Sequence, residues 1–316
     1  MTVDLAHLGA RLRASGLTEG ALLAWGGTRR IPALEWRLPG LLAREPVPAA
    51  AALSVFVAGA VLDIEQLGRL PVDELIEADL LERRGDRVRA PVSVLPLESA
   101  LVVCDRHDRP DHADLVRWPD DSSYHLASAL GPGRRPRWLD LACGSAFAPL
   151  SHPELASEIR CHDLNARAVR YARLGAALSG CRHITVEEAE IGETHAPAAL
   201  VTCNAPIPGD ADAAIWRRAD DAFFTRMWPA ARSCTAPDGQ VVVHCVVSGI
   251  PAELPGEVVV VIYTPPDERG FAITWWRPDG PVRRVVAYRE LTQARPHLDG
   301  RDRDDALAGH LLSVDE

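Results

Sequence analysis

The sequence from Arg137 to Arg277 alternates short apolar runs with longer segments of helical character. The apolar runs have the length of β-strands and lie at 137–143, 158–163, 184–188, 199–203, 240–247, 257–264 and 271–277. The helical segments lie at 145–156, 165–179 and 211–234. Because parallel strands need long crossovers between them, this alternation predicts an α/β fold with a mostly parallel sheet. Pro265 to Gly270, between the last two runs, predicts an antiparallel hairpin that closes the edge of a seven-stranded sheet.

The first 130 residues follow a different pattern, in which short helices precede one hairpin. Helical spacing predicts helices over 5–17, 49–67 and 70–81, and Gly85-Asp86 between two extended runs predicts a β-wing. This order indicates a mainly helical, winged-helix-like domain for substrate binding or dimerisation. The linker Gly131 to Pro136 separates it from the alternating strands and helices, so we predict two domains, 1–130 and 131–316. Val282 to Leu291 is a candidate for one more strand, and the tail after Pro296 is expected to be only partly ordered.

Composition narrows the class of function. The formal net charge is −10, and all 34 residues counted as Lys or Arg are arginine, which disfavours broad binding to a phosphate backbone. The apolar runs fall short of the roughly 20 residues that cross a bilayer, and no signal-peptide pattern opens the chain, so we expect a cytoplasmic protein without membrane contact. The seven cysteines form no Cys-x-x-Cys pair. Cys104 to His112 lacks a second ligand pair at zinc spacing, so we interpret it as a polar loop and expect no metal ion.

The strand beginning at Trp138 runs into the turn Asp140-Leu-Ala-Cys-Gly-Ser-Ala146. Small residues in this turn let the backbone approach a ligand closely, but Phe147 stands where a dinucleotide fingerprint needs a small residue. A carboxylate at Asp140 would repel a pyrophosphate and suits an ammonium group. Asp163 follows 23 residues later, where an acid accepts two ribose hydroxyls. Together these residues favour S-adenosyl-L-methionine as the cofactor; the alternative is a nucleotide site that has lost its ligand.

Four segments in order resemble motifs of class I S-adenosylmethionine-dependent methyltransferases. Asp140 to Ala146 is similar to their first motif, His162 to Arg173 to the second and Glu187 to Ile191 to the third-strand segment. Val201-Thr-Cys-Asn-Ala-Pro-Ile207 resembles the Asn-Pro-Pro-aromatic motif of N-methyltransferases. The resemblance covers about 137–277 and implies a Rossmann-like methyltransferase sheet, while the front half is similar to the extra domain of some bacterial members.

The resemblance also implies roles for individual residues. Asn204 and Pro206 would be catalytic. The implied cofactor contacts are Ser123, Tyr124, Asp140, Ala142, Gly144, Ala146, Asp163, Leu164, Asn165, Glu190, Ile191 and Asn204. For Ser123 and Tyr124, a helix start capped by Ser or Asp is the equal alternative.

The fourth-strand motif departs from the family pattern at two positions. Ala205 replaces a proline and Ile207 replaces the aromatic residue that stacks on a flat substrate. Asn204 and the Ala205 carbonyl retain the acceptors that hold a target NH₂ group. The candidates for a replacement ring are Trp216, Phe223, Phe224 and Trp228, for which the alternative is a core position.

These observations predict a methyltransferase that methylates nitrogen or oxygen of a small molecule or peptide by in-line transfer, with a homodimer as one role of the front domain. The first alternative is an RNA or translation-protein methyltransferase, in which Arg83, Arg84, Arg87 and Arg89 of the wing hold the macromolecule. These arginines are interleaved with acids, which favours a solvated wing. The second alternative is a non-catalytic regulatory protein that binds the cofactor. His125 and His244 are candidates for a general base, with a structural role as the alternative.

Overall fold

The computed structural model describes residues 3–34, 37–42, 50–110, 112–193, 195–207, 221–264 and 270–314. The helices are α1 (Leu5–Ala14), α2 (Glu19–Gly26), α3 (Leu38–Leu42), α4 (Ala51–Phe56), α5 (Val72–Glu77), α6 (Asp121–Ala129), α7 (Phe147–Ser151), α8 (Ala166–Leu178), α9 (Asp221–Ser233) and α10 (Gly300–Leu307). The strands are β1 (Leu62–Asp63), β2 (Glu82–Arg84), β3 (Arg87–Arg89), β4 (Ser93–Pro96), β5 (Leu101–Cys104), β6 (Arg135–Leu141), β7 (Ala156–Asp163), β8 (Ile184–Glu188), β9 (Ala198–Asn204), β10 (Thr235–Val246), β11 (Glu257–Ile262), β12 (Phe271–Arg277), β13 (Arg283–Tyr288) and β14 (Leu312–Ser313). None of the described helices combines the length and apolar character needed to span a bilayer.

The main sheet confirms the predicted mixed α/β fold with a mostly parallel, Rossmann-like sheet. Its strand order is β14-β13-β11-β12-β10-β9-β6-β7-β8. Pairing from β8 through β10 is parallel, and β12 runs antiparallel to both β10 and β11. The described part of this sheet therefore has nine strands, and the predicted count of seven is wrong.

The hairpin of β11 and β12 forms where it is predicted, but it does not close the sheet edge. Every residue from Ala272 to Trp276 in β12 is buried, which suits a central strand, and β12 lies between β10 and β11. The candidate strand after Val282 is β13, which pairs in parallel with β11 and carries β14 at the edge.

Two predicted helices are shorter than expected because of Pro and Gly. The segment 145–156 contains α7 and then a 3₁₀ turn at Pro153–Leu155, since Pro153 lacks an N–H and restricts the residue before it. The segment 49–67 contains α4 and then turns at Gly59, whose φ is 75°, before β1. Of the predicted helix 211–234, residues 211–220 lie outside the described residues, and the rest is α9.

The front half of the chain packs directly on the helical layer of the main sheet. The hairpin of β2 and β3 forms around Gly85 and joins β1 in a three-stranded antiparallel sheet. Helix α1 lies so close to α8 that a Cβ on Gly9 would stand 1.8 Å from the Leu178 carbonyl oxygen. One apolar cluster includes Leu8 and Leu12 of α1 together with Leu178. The domain boundary near 130 and the winged-helix assignment both stay predictions.

The tail after Pro296 is more ordered than the sequence suggests. Asp299 caps α10, and the buried Asp302 carboxylate lies 3.0 Å from Arg295 and 3.5 Å from Arg289. The Leu298 N–H donates to His125 Nδ1 on α6 over 3.0 Å. The many charged residues of this segment predict disorder on composition alone. In the structure these charges form ion pairs with one another.

A buried carboxylate fixes the segment that follows β5 onto the start of α8. Asp105 accepts three hydrogen bonds from the Arg167 guanidinium and one, of 2.9 Å, from the Val116 N–H. The Asn165 side chain donates to the Asp114 carbonyl over 2.9 Å. The segment after the predicted polar loop is thus tied to α8, and its residues 115–123 supply one wall of the cavity described below. Within the described ranges, no group of three His, Cys, Asp or Glu side chains is placed to hold a metal ion.

Candidate active site

A cavity of about 960 Å³ opens at the carboxyl ends of the parallel strands. It lies where the strand order reverses, because β7 and β8 follow to one side of β6 while β9 and β10 follow to the other. Ligands of open α/β sheets bind at such a switch point. The walls come from the turn after β6, the ends of β7 and β9, the segment 115–123 and the start of α9.

The turn after β6 has a left-handed backbone at every second residue. Ala142, Gly144 and Ala146 each have φ of 55°. Alanine is costly in this conformation, by roughly 1–2 kcal/mol per residue, and larger side chains are no better suited to it. Ala142 and Gly144 line the cavity, whereas Ala146 is fully buried and is not among the lining residues. A Cβ built on Gly144 meets no other atom within 4 Å, so this turn leaves open space for a ligand to approach the backbone.

Asp163 at the end of β7 is joined to this turn by hydrogen bonds. Its Oδ2 accepts from the Gly144 N–H over 2.7 Å, and its Oδ1 accepts from the Asn165 N–H over 2.8 Å. A carboxylate offers about four lone-pair positions, so each oxygen can accept one further bond. Burial raises the pKa of the Asp163 carboxyl above its usual value. The residue predicted to hold ribose hydroxyls is therefore fixed at the cavity with acceptor capacity remaining.

Asp140 lines the cavity but is almost completely covered. Asp140 is 3% exposed, and its Oδ1 accepts from the Thr202 hydroxyl over 2.5 Å. The Trp138 indole N–H in turn donates to Thr202 Oγ1 over 2.7 Å, which directs the hydroxyl hydrogen toward Asp140. Burial raises the pKa of the Asp140 carboxyl to about 7. Asp140 is thus part of a buried polar chain rather than an open carboxylate at the strand tip.

The raised pKa of Asp140 predicts a pH-dependent stability. The native carboxyl stays protonated up to about pH 7, whereas the unfolded one ionises near pH 4. Between these values the native state binds more protons, so the free energy of unfolding falls as the pH rises. We expect the free energy of unfolding of the wild type, relative to Asp140→Asn, to fall by about 3 kcal/mol between pH 4.5 and 7. Denaturant unfolding at both pH values measures this difference.

The control for this experiment is Asp238→Asn, which removes an exposed carboxylate. Its unfolding free energy should run parallel to that of the wild type. If the free energy of unfolding of Asp140→Asn changed with pH in parallel with that of the wild type, Asp140 would ionise normally.

Beyond Asp163 the cavity is bounded by apolar side chains that the fold leaves accessible. Leu164 is 57% exposed, and Ile191 faces the same cavity. Accessible apolar surface inside a cavity is typical of ligand contact. Glu190 lines the cavity as well, and its N–H donates to Glu193 over 3.1 Å. Asn165 also lines it, but its side chain caps α8 by accepting from the Arg167 N–H over 2.9 Å.

Asn204, at the end of β9, lies at the cavity together with Pro206 and Ile207. Its Nδ2 donates to Ser122 Oγ over 2.9 Å, and the Ser122 hydroxyl donates to Asp120 over 2.5 Å. Ile207 is 40% exposed, as an apolar residue in contact with a substrate would be.

Of the aromatic candidates, Phe223 of α9 lines the cavity. Trp228 does not; its indole N–H donates to the Gly249 carbonyl and its ring packs on Trp276, so it belongs to the core. The Phe224 ring packs edge-on against Phe223. Trp216 lies outside the described residues.

The segment before β6 contributes differently from the prediction. Ser122 and Ser123 line the cavity, but Tyr124 does not. The Tyr124 ring packs on Phe147 at 4.6 Å and on His297 at 5.5 Å between ring centroids, outside the cavity lining. The capped helix start is also present, since Asp120 accepts from the Ser122 N–H. Sequence reasoning missed Ser122, together with Trp118, Arg117 and Arg226 of the walls.

The two histidines that are candidates for a general base occupy buried positions outside the cavity lining. His125 stacks on Tyr263 with 3.9 Å between ring centroids, and His244 hydrogen-bonds to the Tyr263 hydroxyl at 2.7 Å. Burial lowers the pKa of His125 to about 3 and that of His244 to about 4. These contacts support the structural interpretation of both.

No protein-family model matches the sequence, and no curated protein matches it. Among solved structures, a protein of Listeria monocytogenes provisionally described as a class I S-adenosylmethionine-dependent methyltransferase is 12% identical, with a TM-score of 0.43 over 64% of this chain and 72% of that one. A 16S rRNA methyltransferase of T. thermophilus in complex with AdoMet and guanosine is 15% identical, with a TM-score of 0.42 over 61% of this chain and 46% of that one. A protein of Pseudomonas syringae provisionally described as a methyltransferase is 18% identical, with a TM-score of 0.38 over 49% of this chain and 95% of that one. At identities of 12%, 15% and 18%, these are likenesses of fold.

Proposed function

We propose that the protein is an S-adenosylmethionine-dependent methyltransferase. The observation that carries this proposal is the Asp163 carboxylate, held by the Gly144 and Asn165 N–H groups beside a left-handed turn with open space above it. Asn204 stands on the other side of the switch point, at the end of the neighbouring strand β9. A ribose acid on one side would hold the cofactor, and an amide acceptor on the other would orient the group that takes the methyl.

The cavity residues fit the parts of this cofactor. Asp163 would accept the ribose hydroxyls with its remaining lone pairs, and Leu164 and Ile191 would contact the adenine. The backbone at Gly144 would lie under the methionine portion, where a larger side chain would fill the space. Ser123 is the neighbouring hydroxyl on the opposite wall.

When bound, the cofactor supplies an activated methyl group. The protein's contribution is then to hold the acceptor atom in line and to exclude water, since alignment alone accounts for much of the rate of such reactions. Asn204 is the orienting acceptor for an N–H or O–H group. Phe223 and Ile207 provide apolar contacts for the rest of the acceptor.

The size of the cavity and the paired charges of the wing favour a small molecule or a peptide as the methyl acceptor. A volume of about 960 Å³ lies within the usual range for ligand pockets, roughly 300–1,000 Å³. The alternative, an RNA acceptor, would be held by the wing. There, Arg89 lies 2.8 Å from Glu82 and Arg87 lies 3.5 Å from Asp63, as on a solvated surface.

A labelled-methyl assay tests this proposal. The protein is incubated with S-adenosylmethionine carrying a radioactive methyl group and three acceptor pools: small amines and amides, short peptides, and total RNA. We expect label in one of the first two pools and none in the same pool with Asn204→Ala. Label found only in RNA would show that the methyl acceptor is RNA and not a small molecule or a peptide. Cofactor binding without label in any pool would support the non-catalytic alternative.

A further inference from the structure

A chain of three side chains connects the start of α6 to the end of β9. The Asn204 amide donates to Ser122 Oγ over 2.9 Å, and the Ser122 hydroxyl donates to Asp120 Oδ1 over 2.5 Å. We propose that Ser122 and Asp120 are positioning residues that set the orientation of the Asn204 amide and so present its Oδ1 to the methyl acceptor. This inference rests on the proposed methyltransferase function.

The direction of each hydrogen bond follows from what the groups can do. The Asp120 carboxylate only accepts, so the single hydrogen of the Ser122 hydroxyl is used for it. Ser122 Oγ then faces Asn204 with a lone pair and can only accept. The group of Asn204 that faces Ser122 must therefore be the Nδ2 amino group, which leaves Oδ1 as the acceptor for a ligand. Without Ser122 the two ends of the amide would be nearly equivalent in shape, and the amide could rotate by 180°.

The position of Ser122 is itself fixed by the helix that carries it. Asp120 caps α6 by accepting from the Ser122 N–H over 3.0 Å, so one carboxylate orients both the backbone and the hydroxyl of this residue. The other end of α6 is held where the Trp275 indole N–H donates to the Ala129 carbonyl over 3.0 Å. Because α6 is fixed at both ends, Ser122 lies on a rigid element, as a group that orients a catalytic side chain should.

This arrangement defines the chemistry of the acceptor at the atom to be methylated. A group facing Asn204 Oδ1 must carry an N–H or O–H hydrogen, and Ser122 disfavours the flipped amide that would select a group with only lone pairs. The nucleophile is therefore a neutral nitrogen or oxygen that bears a hydrogen and keeps a lone pair, such as an uncharged amine, an amide NH₂ or a hydroxyl.

Sinefungin provides a test that needs no knowledge of the acceptor. In this cofactor analogue a C–NH₂ group replaces the methyl-bearing sulfonium, so it places N–H hydrogens where the methyl group would be. S-adenosylhomocysteine has no group there. We expect Ser122→Ala to weaken sinefungin binding by about tenfold while the affinity for S-adenosylhomocysteine stays within about twofold, measured by calorimetry. Ser122→Thr, which keeps the hydroxyl, should restore the preference, and Ser128→Ala, on the same helix but outside the cavity, should behave as wild type.

A double-mutant cycle completes the test. Asn204→Ala should cause the same selective loss as Ser122→Ala, and the combined variant should lose no more than either alone. If Ser122→Ala fails to fold, Ser122→Cys, which offers only a weak acceptor of similar size, carries the same expectation. Equal losses for both ligands, additive losses, or no loss in Ser122→Ala would overturn the positioning role. Failure of the wild type to bind either ligand would instead overturn the proposed function.

Discussion

Replacing Asp163 by alanine is expected to lower the affinity for S-adenosylmethionine by at least about a hundredfold. The variant loses an acceptor for two ribose hydroxyls, and hydrogen bonds to a charged group are worth roughly 1.5–3 kcal/mol each. It also leaves the Gly144 and Asn165 N–H groups without their acceptor, so the turn itself would loosen. Calorimetric titration of the wild type and the variant with S-adenosylmethionine measures the loss.

Glu188→Ala is the matched control for this variant. Glu188 pairs with Asp163 in the sheet register and carries an exposed carboxylate, but it is not among the cavity residues. The Glu188→Ala variant should bind the cofactor as tightly as the wild type does. Thermal unfolding of both variants shows whether a loss of binding is due to a loss of folding. A folded Asp163→Ala protein that binds as tightly as wild type would show that the ribose acid lies elsewhere.

The second large effect is expected for Asn204→Ala. The substrate for this measurement is an acceptor from the pool that becomes labelled in the methyl-transfer assay. The kcat of Asn204→Ala should be lower than that of the wild type by about a hundredfold or more, because a misplaced nucleophile loses the benefit of alignment. The affinity for S-adenosylhomocysteine should stay within about twofold, because the role we propose for Asn204 is to orient the methyl acceptor, and this ligand carries no group at that position. A pre-steady-state measurement of methyl transfer separates this step from product release.

Asn204→Asp is an informative companion to that variant. It keeps an acceptor oxygen toward the substrate but can no longer donate to Ser122 unless it is protonated. We expect its kcat to lie between those of wild type and Asn204→Ala. Wild-type turnover in Asn204→Ala would place the orienting group on another residue.

The parts of the fold that follow from local physics could be predicted from the sequence. Strands β6 to β12 are apolar runs, and helix-length segments follow β6, β7 and β9, so their alternation indicates a mostly parallel sheet. The hairpin around Gly85 and the end of β7 at Asp163 are local in the same sense. Each depends only on residues next to it.

What could not be predicted depends on contacts between distant parts of the chain. The place of β12 inside the sheet follows from pairing with both β10 and β11. The order of the tail follows from the contact of Leu298 with His125, 173 positions away. Neither contact leaves a periodic signal in either segment.

The same limit applies to the candidate site. Asp163, Gly144 and Asn204 lie at strand ends, so their convergence follows once the sheet is known. The choice of Ser122 over Tyr124 depends on how α6 meets β9, and Ser122 bonds to a residue 82 positions away. For Asp140, a strand-tip position predicts an open carboxylate, but it does not reveal that Thr202, which also accepts from the Trp138 indole, donates to this carboxyl group.

The most direct test of the central claim is a calorimetric titration of the unmodified protein with S-adenosylmethionine, S-adenosylhomocysteine and NAD. Asp163, the Gly144 turn and the apolar pair Leu164 and Ile191 predict one site per chain for each of the first two ligands. They predict no binding of NAD, since Phe147 replaces the small residue that its pyrophosphate turn requires. Binding of NAD, or no binding of either adenosyl ligand, would contradict the account.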